Sequence, residues 1–404
     1  FIVKLRLGLC KMAGVCFAKK IVNSLFSPKC FQVRVLSDPL YCKSYLSTNT
    51  IRSKPPSLLL LTVAGVGAGA VLGGGYSFYL IKQANIPVSN EGVGITGALL
   101  KHFPDVSISR KIYNAADTSG LQLTLFQYPT CPFCCKVRAF LNFYGISYDV
   151  VEVNPVLRQQ MNWSEYKKVP ILLAKVENGY QQLNDSSMII SALSSYLMES
   201  QPNLSEMVKC YPSVSYRDDD GKLKSEVVNR YFLMFNAEIP KGRNKEELEE
   251  ERKWRKWADS VLVHTLSPNV YRTRAEAFQA FHWFSEVGEW DRLFSSWERN
   301  LIVYAGAYAM LIIGKRLKRR HNLKDDVRQS LYDECNHWMK SVKKKNTAFM
   351  GGSQPNLADL AVYGVLSSIE GCDAFHDLLD NTKIGSWYWP MKELVQSHTG
   401  VVIA

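Results

Sequence analysis

The chain has 404 residues, 47% of them hydrophobic and 12% aromatic, enough for two domains of ordinary size with true cores. Its net charge of +12 suggests a nucleic-acid surface until it is divided: residues 1–56 hold ten Lys or Arg against the single acid Asp38, leaving a surplus of three for the rest. A nearly neutral body argues against a DNA- or RNA-binding face, and ten cysteines, sparse in 404 residues and with Cys210, Cys335 and Cys372 at no paired spacing, argue against a disulfide scaffold and for a reducing compartment.

Residues 1–56, basic, serine-bearing and almost free of acids, read as a targeting leader. From Ser57 to Ile81 no charge interrupts the sequence. That is about 25 residues or roughly 37 Å as helix, so one membrane-spanning anchor is expected over 57–82. Gly65, Gly69 and Gly73 have the spacing of a helix-packing face, although membrane helices also simply tolerate glycine. The run lacks the G-x-G-x-x-G register, which excludes a dinucleotide loop. Residues 83–118 read as a tether.

The next stretch, Leu121 to Leu141, alternates as a strand, breaks, and opens a helix on Cys131-Pro132-Phe133-Cys134. A cysteine there faces unpaired amides and the positive end of the helix, both of which favour thiolate, and Pro132 suits the first turn. Cys131 is therefore the candidate nucleophile. Cys134 and Cys135 lie deeper, as buried small hydrophobes or, for Cys134, as a resolving thiol. No second ligand pair at metal spacing accompanies them, so zinc is not expected.

Ser147 to Asn154 reads as a second strand, completing a βαβ unit with a parallel pair. A short helical segment around Arg158 to Tyr166 precedes a strand that starts on Pro170, where a missing N–H costs nothing. A cis Val169–Pro170 bond would leave the Val169 backbone free for an extended, peptide-like ligand. Lys175 to Tyr180 reads as a hairpin around Glu-Asn-Gly. Asp185-Ser186-Ser187 then caps an apolar helix, Met188 to Leu197; the pattern suits a plain N-cap or an anion site.

Residues 201–224, polar and broken by Pro, read as a linker between the α/β domain over 119–200 and an all-helical domain over 225–400. Within the latter, the 13-residue apolar run Leu301 to Ile313 is too short to span a membrane and is expected as a buried helix. Asn356-Leu-Ala-Asp359 reads as a capping box.

Strand, Cys-Pro-Phe-Cys helix, strand, Val-Pro strand and Asp-Ser-capped helix, in that order, resemble the thioredoxin-like fold of glutaredoxins and glutathione transferases, and the helical second domain resembles the transferase architecture. Tyr128-Pro-Thr-Cys-Pro-Phe-Cys, Ser267-Pro-Asn-Val-Tyr-Arg and Phe349-Met-Gly-Gly, with the N-terminal anchor, resemble the membrane-associated prostaglandin E synthase type 2 family over roughly Leu121 to Tyr388. The resemblance implies an isomerase that converts prostaglandin H2 to prostaglandin E2, with Cys131 as the catalytic thiol and Tyr128 beside it. It implies glutathione on Val169, Pro170, Asp185 and Ser186 near Cys134. Haem would be held through the glutathione sulfur. His264 falls with the cofactor positions, although a core histidine is the plainer reading of VLVHTL. Ser267, Arg316 and Arg320 fall on the substrate side; Asn322 stands where the family has another base. The family further implies a homodimer at the Golgi membrane with a soluble cytoplasmic form; the leader's composition leaves a mitochondrial destination open. A glutaredoxin-type oxidoreductase and a non-catalytic glutathione and haem carrier are the competing functions.

Overall fold

The computed structural model describes residues 98–199, 202–217, 223–234 and 243–400. The leader, the 57–82 anchor and the first part of the tether lie outside these residues. Among the described residues, no helix is long and apolar enough to cross a membrane.

The α/β part is a six-stranded sheet in the order β1-β6-β5-β3-β4-β2, from β1 (Leu99–Leu100), β2 (Arg110–Ile112), β3 (Leu123–Gln127), β4 (Tyr148–Glu152), β5 (Ile171–Val176) and β6 (Gly179–Asn184). β3 and β4 run parallel and are joined by α1 (Pro132–Phe143). β5 is antiparallel to β3 and forms a tight hairpin with β6. β3 is buried along its whole length because the sheet has cores on both faces. Leu123 and Leu125 join the core that includes α1, while Phe126 turns to the opposite core and packs edge-on against Trp163 at 5.1 Å.

From residue 98 onward the stretch read as a tether belongs to the sheet. It supplies both edge strands: Leu99 pairs with Gln181 and Arg110 with Val150. Strands of two or three residues are too short to show an alternating pattern, which is why the sequence hid them. Gly179 explains how β1 fits: its φ is +136°, and a Cβ there would lie 2.1 Å from the Leu100 carbonyl oxygen. Around Arg158 to Tyr166 only a 3-10 turn, Gln159–Met161, forms.

After α2 (Ser186–Met198) the stretch read as a linker carries α3 (Leu204–Lys209), started by the Asn203 side chain, and a hairpin of β7 (Ser213–Arg217) and β8 (Leu223–Val227). The helical part follows with α4 (Lys245–Trp257), one turn of π-helix (Ala258–Leu262), α5 (Val263–Val270), α6 (Arg274–Val287), α7 (Trp290–Leu293) and α8 (Ser296–Arg320). It ends with α9 (Val327–Lys344), α10 (Leu357–Ser367), α11 (Asp373–Asn381) and α12 (Gly385–Gln396). The capping box at Asn356 forms, with the Asp359 carboxylate returning to the Asn356 amide. α10 crosses directly behind α1: a Cβ on Gly364 would meet the Lys136 Cα at 2.5 Å, so only glycine permits this contact. The helical layer thereby braces the helix that carries Cys131.

The expectation of a buried helix over Leu301 to Ile313 is corrected. α8 buries Ile302, Val303, Ala307 and Gly314, while Leu301, Tyr304, Tyr308 and Ile312 stand exposed. An apolar run of this length has two sides, and α6 and α5 cover only one.

Candidate active site

Cys131 occupies the N-cap of α1 in extended backbone (φ −76°, ψ 123°), with Pro132 as the first helical residue. Its amide donates to the Tyr128 carbonyl at 3.2 Å, and its carbonyl accepts from the Cys135 amide at 2.9 Å, which fixes the turn between β3 and α1. No side-chain capping bond closes this helix start. The sulfur is half-buried and faces the Cys134 thiol and the amides of Cys134 and Phe133. A hydrogen bond from the Cys134 thiol does most to lower the Cys131 pKa, against burial, with the two amides and the more distant Arg138 guanidinium adding to it. Burial and the Cys131 charge push Cys134 the other way, and burial raises Cys135. Between the two thiols the negative charge is thus favoured on Cys131 and the proton on Cys134.

Arg138 supports the turn from below. One guanidinium nitrogen donates to Gln127 Oε1 at 2.6 Å, and another to the Pro129 carbonyl at 2.6 Å and Cys135 Sγ at 3.1 Å. Gln127 Nε2 donates onward to Glu152 Oε1 at 2.8 Å, which also takes Arg110 at 2.5 Å. The end of β3 is thus locked by polar groups with few alternatives.

Three phenols feel the charge of the thiol. Burial pushes Tyr128 up to about 12 and raises Tyr166 and Tyr271 further, all three within electrostatic reach of Cys131. They remain protonated donors near neutral pH.

The Val169–Pro170 bond is cis, Pro170 is buried, and the ladder of β5 begins only at Ile171. Asp185 (φ +71°) is already engaged: Oδ1 accepts the amides of Ser187 at 2.9 Å and Met188 at 3.1 Å, and Oδ2 faces Arg230 at 3.3 Å. Its first duty is to its own helix. Ser186 is buried beside it.

The second wall is helical. His264 is half-buried and stacks on His321 with ring centres 3.9 Å apart and planes 11° apart, so it is not the core histidine its sequence suggests. Burial lowers both imidazoles, His321 and Arg320 adding to the effect on His264 and Arg320 to that on His321. The Ser267 carbonyl and Tyr271 pack around Gly314 of α8, 3.5 Å from where a Cβ would sit. Tyr128, Cys131 and Cys134 are therefore neighbours, with Tyr166 reaching both them and Asp185. Tyr271, which packs with Ser267 on Gly314, is the helical residue in electrostatic reach of Cys131, and His264, His321 and Arg320 form a second group. Arg316, exposed one turn earlier on α8, has no ion pair among the described residues.

Sequence reasoning missed the groups that join the two walls. Asp259, in the π-turn, receives Lys136 Nζ, Ser187 Oγ at 2.6 Å and the Tyr231 hydroxyl at 3.1 Å. Burial opposes its charge, but Lys136 and the two hydroxyls outweigh it and hold its carboxyl below the usual range. The available signal was Lys136 and Arg138 inside an otherwise apolar helix, where a charge needs a buried partner.

A parallel strand–helix–strand, a strand opened by a cis proline, a thiol at a free helix start and a helical layer behind it define a glutathione transferase-like protein. The family model for the glutathione S-transferase N-terminal domain matches residues 125–197. The chain is 48% identical over 299 residues to Prostaglandin E synthase 2 of Mus musculus, covering 74% of this chain and 76% of that one. It is 44% identical over 351 residues to Prostaglandin E synthase 2 of Danio rerio, covering 84% and 86%. Glutathione transferase F7 of Populus trichocarpa aligns with TM-score 0.37 and 12% identity over 69% of this chain and all of that one. The chain belongs to the prostaglandin E synthase 2 family.

Proposed function

We infer that the chain isomerises prostaglandin H2 to prostaglandin E2, and the observation that carries this reading is the lowered pKa of Cys131 at an uncapped helix start inside a wall of neutral phenols. The thiolate attacks the endoperoxide oxygen borne by the carbon that becomes the ketone. The O–O bond breaks, and the other oxygen leaves as an alkoxide that takes a proton to become the ring hydroxyl. Loss of the first carbon's hydrogen as a proton then sends the C–H electron pair into a carbonyl, the S–O pair leaves with sulfur as the thiolate, and the proton released balances the one the alkoxide took up, so nothing is oxidised overall. Tyr128, kept protonated, is placed to steady the departing oxygen.

Glutathione fits the same cleft. Val169 precedes the ladder, Ser186 and the outer oxygen of Asp185 lie at the start of α2, and Arg158, which faces Tyr128, has a buried Nε without a partner among the described residues. An anionic peptide end would satisfy that donor. Haem belongs to this reading as a proposal: Arg320 beside two neutral imidazoles, with Arg316 nearby, suits its carboxylates, and when bound it would supply one-electron chemistry at the O–O bond. The 57–82 anchor, a Golgi membrane, a released cytoplasmic form and a homodimer complete the proposal, with the thiols on the reducing side.

The hydrogen bond between Cys134 and Cys131 supports a second reading, a glutaredoxin-type dithiol oxidoreductase. Incubating the purified chain with prostaglandin H2, with and without glutathione and haem, separates them. Prostaglandin E2 should accumulate faster than in buffer, and should still do so with Cys134→Ser. Spontaneous product ratios from the wild type would refute the isomerase reading.

A further inference from the structure

The exposed side of α8 is one continuous surface. Trp297 (63% exposed), Leu301 (39%), Tyr304 (54%), Tyr308 (45%) and Ile312 (57%) follow one another at spacings of four, three, four and four residues, so they share one helix face over about 22 Å. The face is built to stay in place. Tyr304 and Tyr308 lean on Phe278 of α6 at 5.8 and 5.4 Å, and the guanidinium of Arg274 sits 5.4 Å over the Tyr308 ring. A soluble surface scatters its exposed apolar residues; a stripe this long marks a contact.

Charge says what it contacts. From Arg299 to Lys324 the sequence has seven Lys or Arg and no Asp or Glu. Lys318 pairs with Asp325, whereas Lys315 and Arg319, which continue the stripe three and seven residues after Ile312, are exposed and free of ion pairs among the described residues. A second copy laid α8 on α8 offers these bases no partner: along α8 the only carboxylate is Glu298, and it is held by the amide and hydroxyl of Ser295. Tryptophan and tyrosine with aliphatics between them, running into a basic turn, match an anionic lipid surface, with rings at headgroup level, Leu301 and Ile312 deeper, and bases on the phosphates.

We propose that α8 lies in the surface of an anionic bilayer through Trp297, Leu301, Tyr304, Tyr308 and Ile312, with its basic C-terminal turns on the lipid headgroups. The contact is distinct from the 57–82 anchor and independent of the catalytic reading. It also has a consequence for access: α8 packs Gly314 against Ser267 and Tyr271, so a seated α8 brings the cleft to the lipid phase.

The test uses the full chain in vesicles of phosphatidylcholine with or without phosphatidylserine, and takes the fluorescence difference between wild type and Trp297→Phe. With phosphatidylserine, the Trp297 emission should shift to the blue, be quenched by brominated acyl chains and lose its accessibility to aqueous quencher. Salt should weaken the effect, and Leu301→Glu with Ile312→Glu should abolish it without lowering thermal stability. Trp297 remaining open to the aqueous quencher in both vesicles would overturn the proposal. So would protection without vesicles, which if concentration-dependent would assign the stripe to a second copy, and otherwise to this chain's own N-terminal residues.

Discussion

Two helix starts in this molecule face opposite demands. At the start of α10, Asn356 takes the amides of Ala358 and Asp359, while the buried Asp359 carboxylate takes those of Met350, Gly351 and Asn356 and the Trp387 indole. Every donor is used, and burial pushes that carboxyl up to about 6 in spite of them. At the start of α1 no side chain closes the cap, and the amides are left to a sulfur. The same electrostatics serve stability where the protein fills the position itself, and reactivity where it leaves the position to a thiol. α2 stands between them: Asp185 caps it, yet keeps one oxygen turned outward toward Arg230.

Exchanging the roles breaks the contrast in two ways. Cys131→Ser should lower prostaglandin E2 formation by about three decades, roughly 4 kcal/mol of barrier, because a hydroxyl stays protonated at the position that makes a thiolate. Its unfolding midpoint should barely move. Turnover above about a tenth of wild type would refute the thiol mechanism. Asp359→Ala should do the reverse, costing about 3 kcal/mol of stability by stranding buried donors while turnover per folded molecule persists. Denaturant midpoints and initial rates, measured on the same samples, decide both.

This contrast also explains what the sequence could reveal. The Cys131 turn, the proline-led β5, the Asp185 cap and the Asn356 box were legible because each is local, a few residues whose conformation is written in their own chemistry. The edge strands β1 and β2 were not, because two or three residues carry no period. Asp259 and Tyr271 were not, because their meaning comes from Lys136, Ser187 and Cys131 far away in sequence. α8 misled because its composition says only that it is apolar; which side stays open depends on where α5 and α6 pack.

The smallest expected effect concerns Arg138, which reaches Cys131 only across the turn. Its charge favours the thiolate but ranks behind the Cys134 thiol and the two amides, so removing it should move the pH profile without abolishing turnover. The folded pKa of Cys131 is lowered, so activity rises as pH climbs through that value and levels off below the ordinary thiol range. Without the guanidinium the thiolate loses part of its support, its pKa rises, and the rising limb should shift to higher pH in Arg138→Met. Loss of the hydrogen bonds to Pro129 and Gln127 would also loosen the turn, and a loosened turn lowers the plateau at every pH. The two effects therefore separate in the profile: Arg138→Lys, which restores charge without the forked geometry, should recover the limb more fully than the plateau. A limb that stays in place in Arg138→Met would mean that the local donors at the helix start set the Cys131 pKa alone.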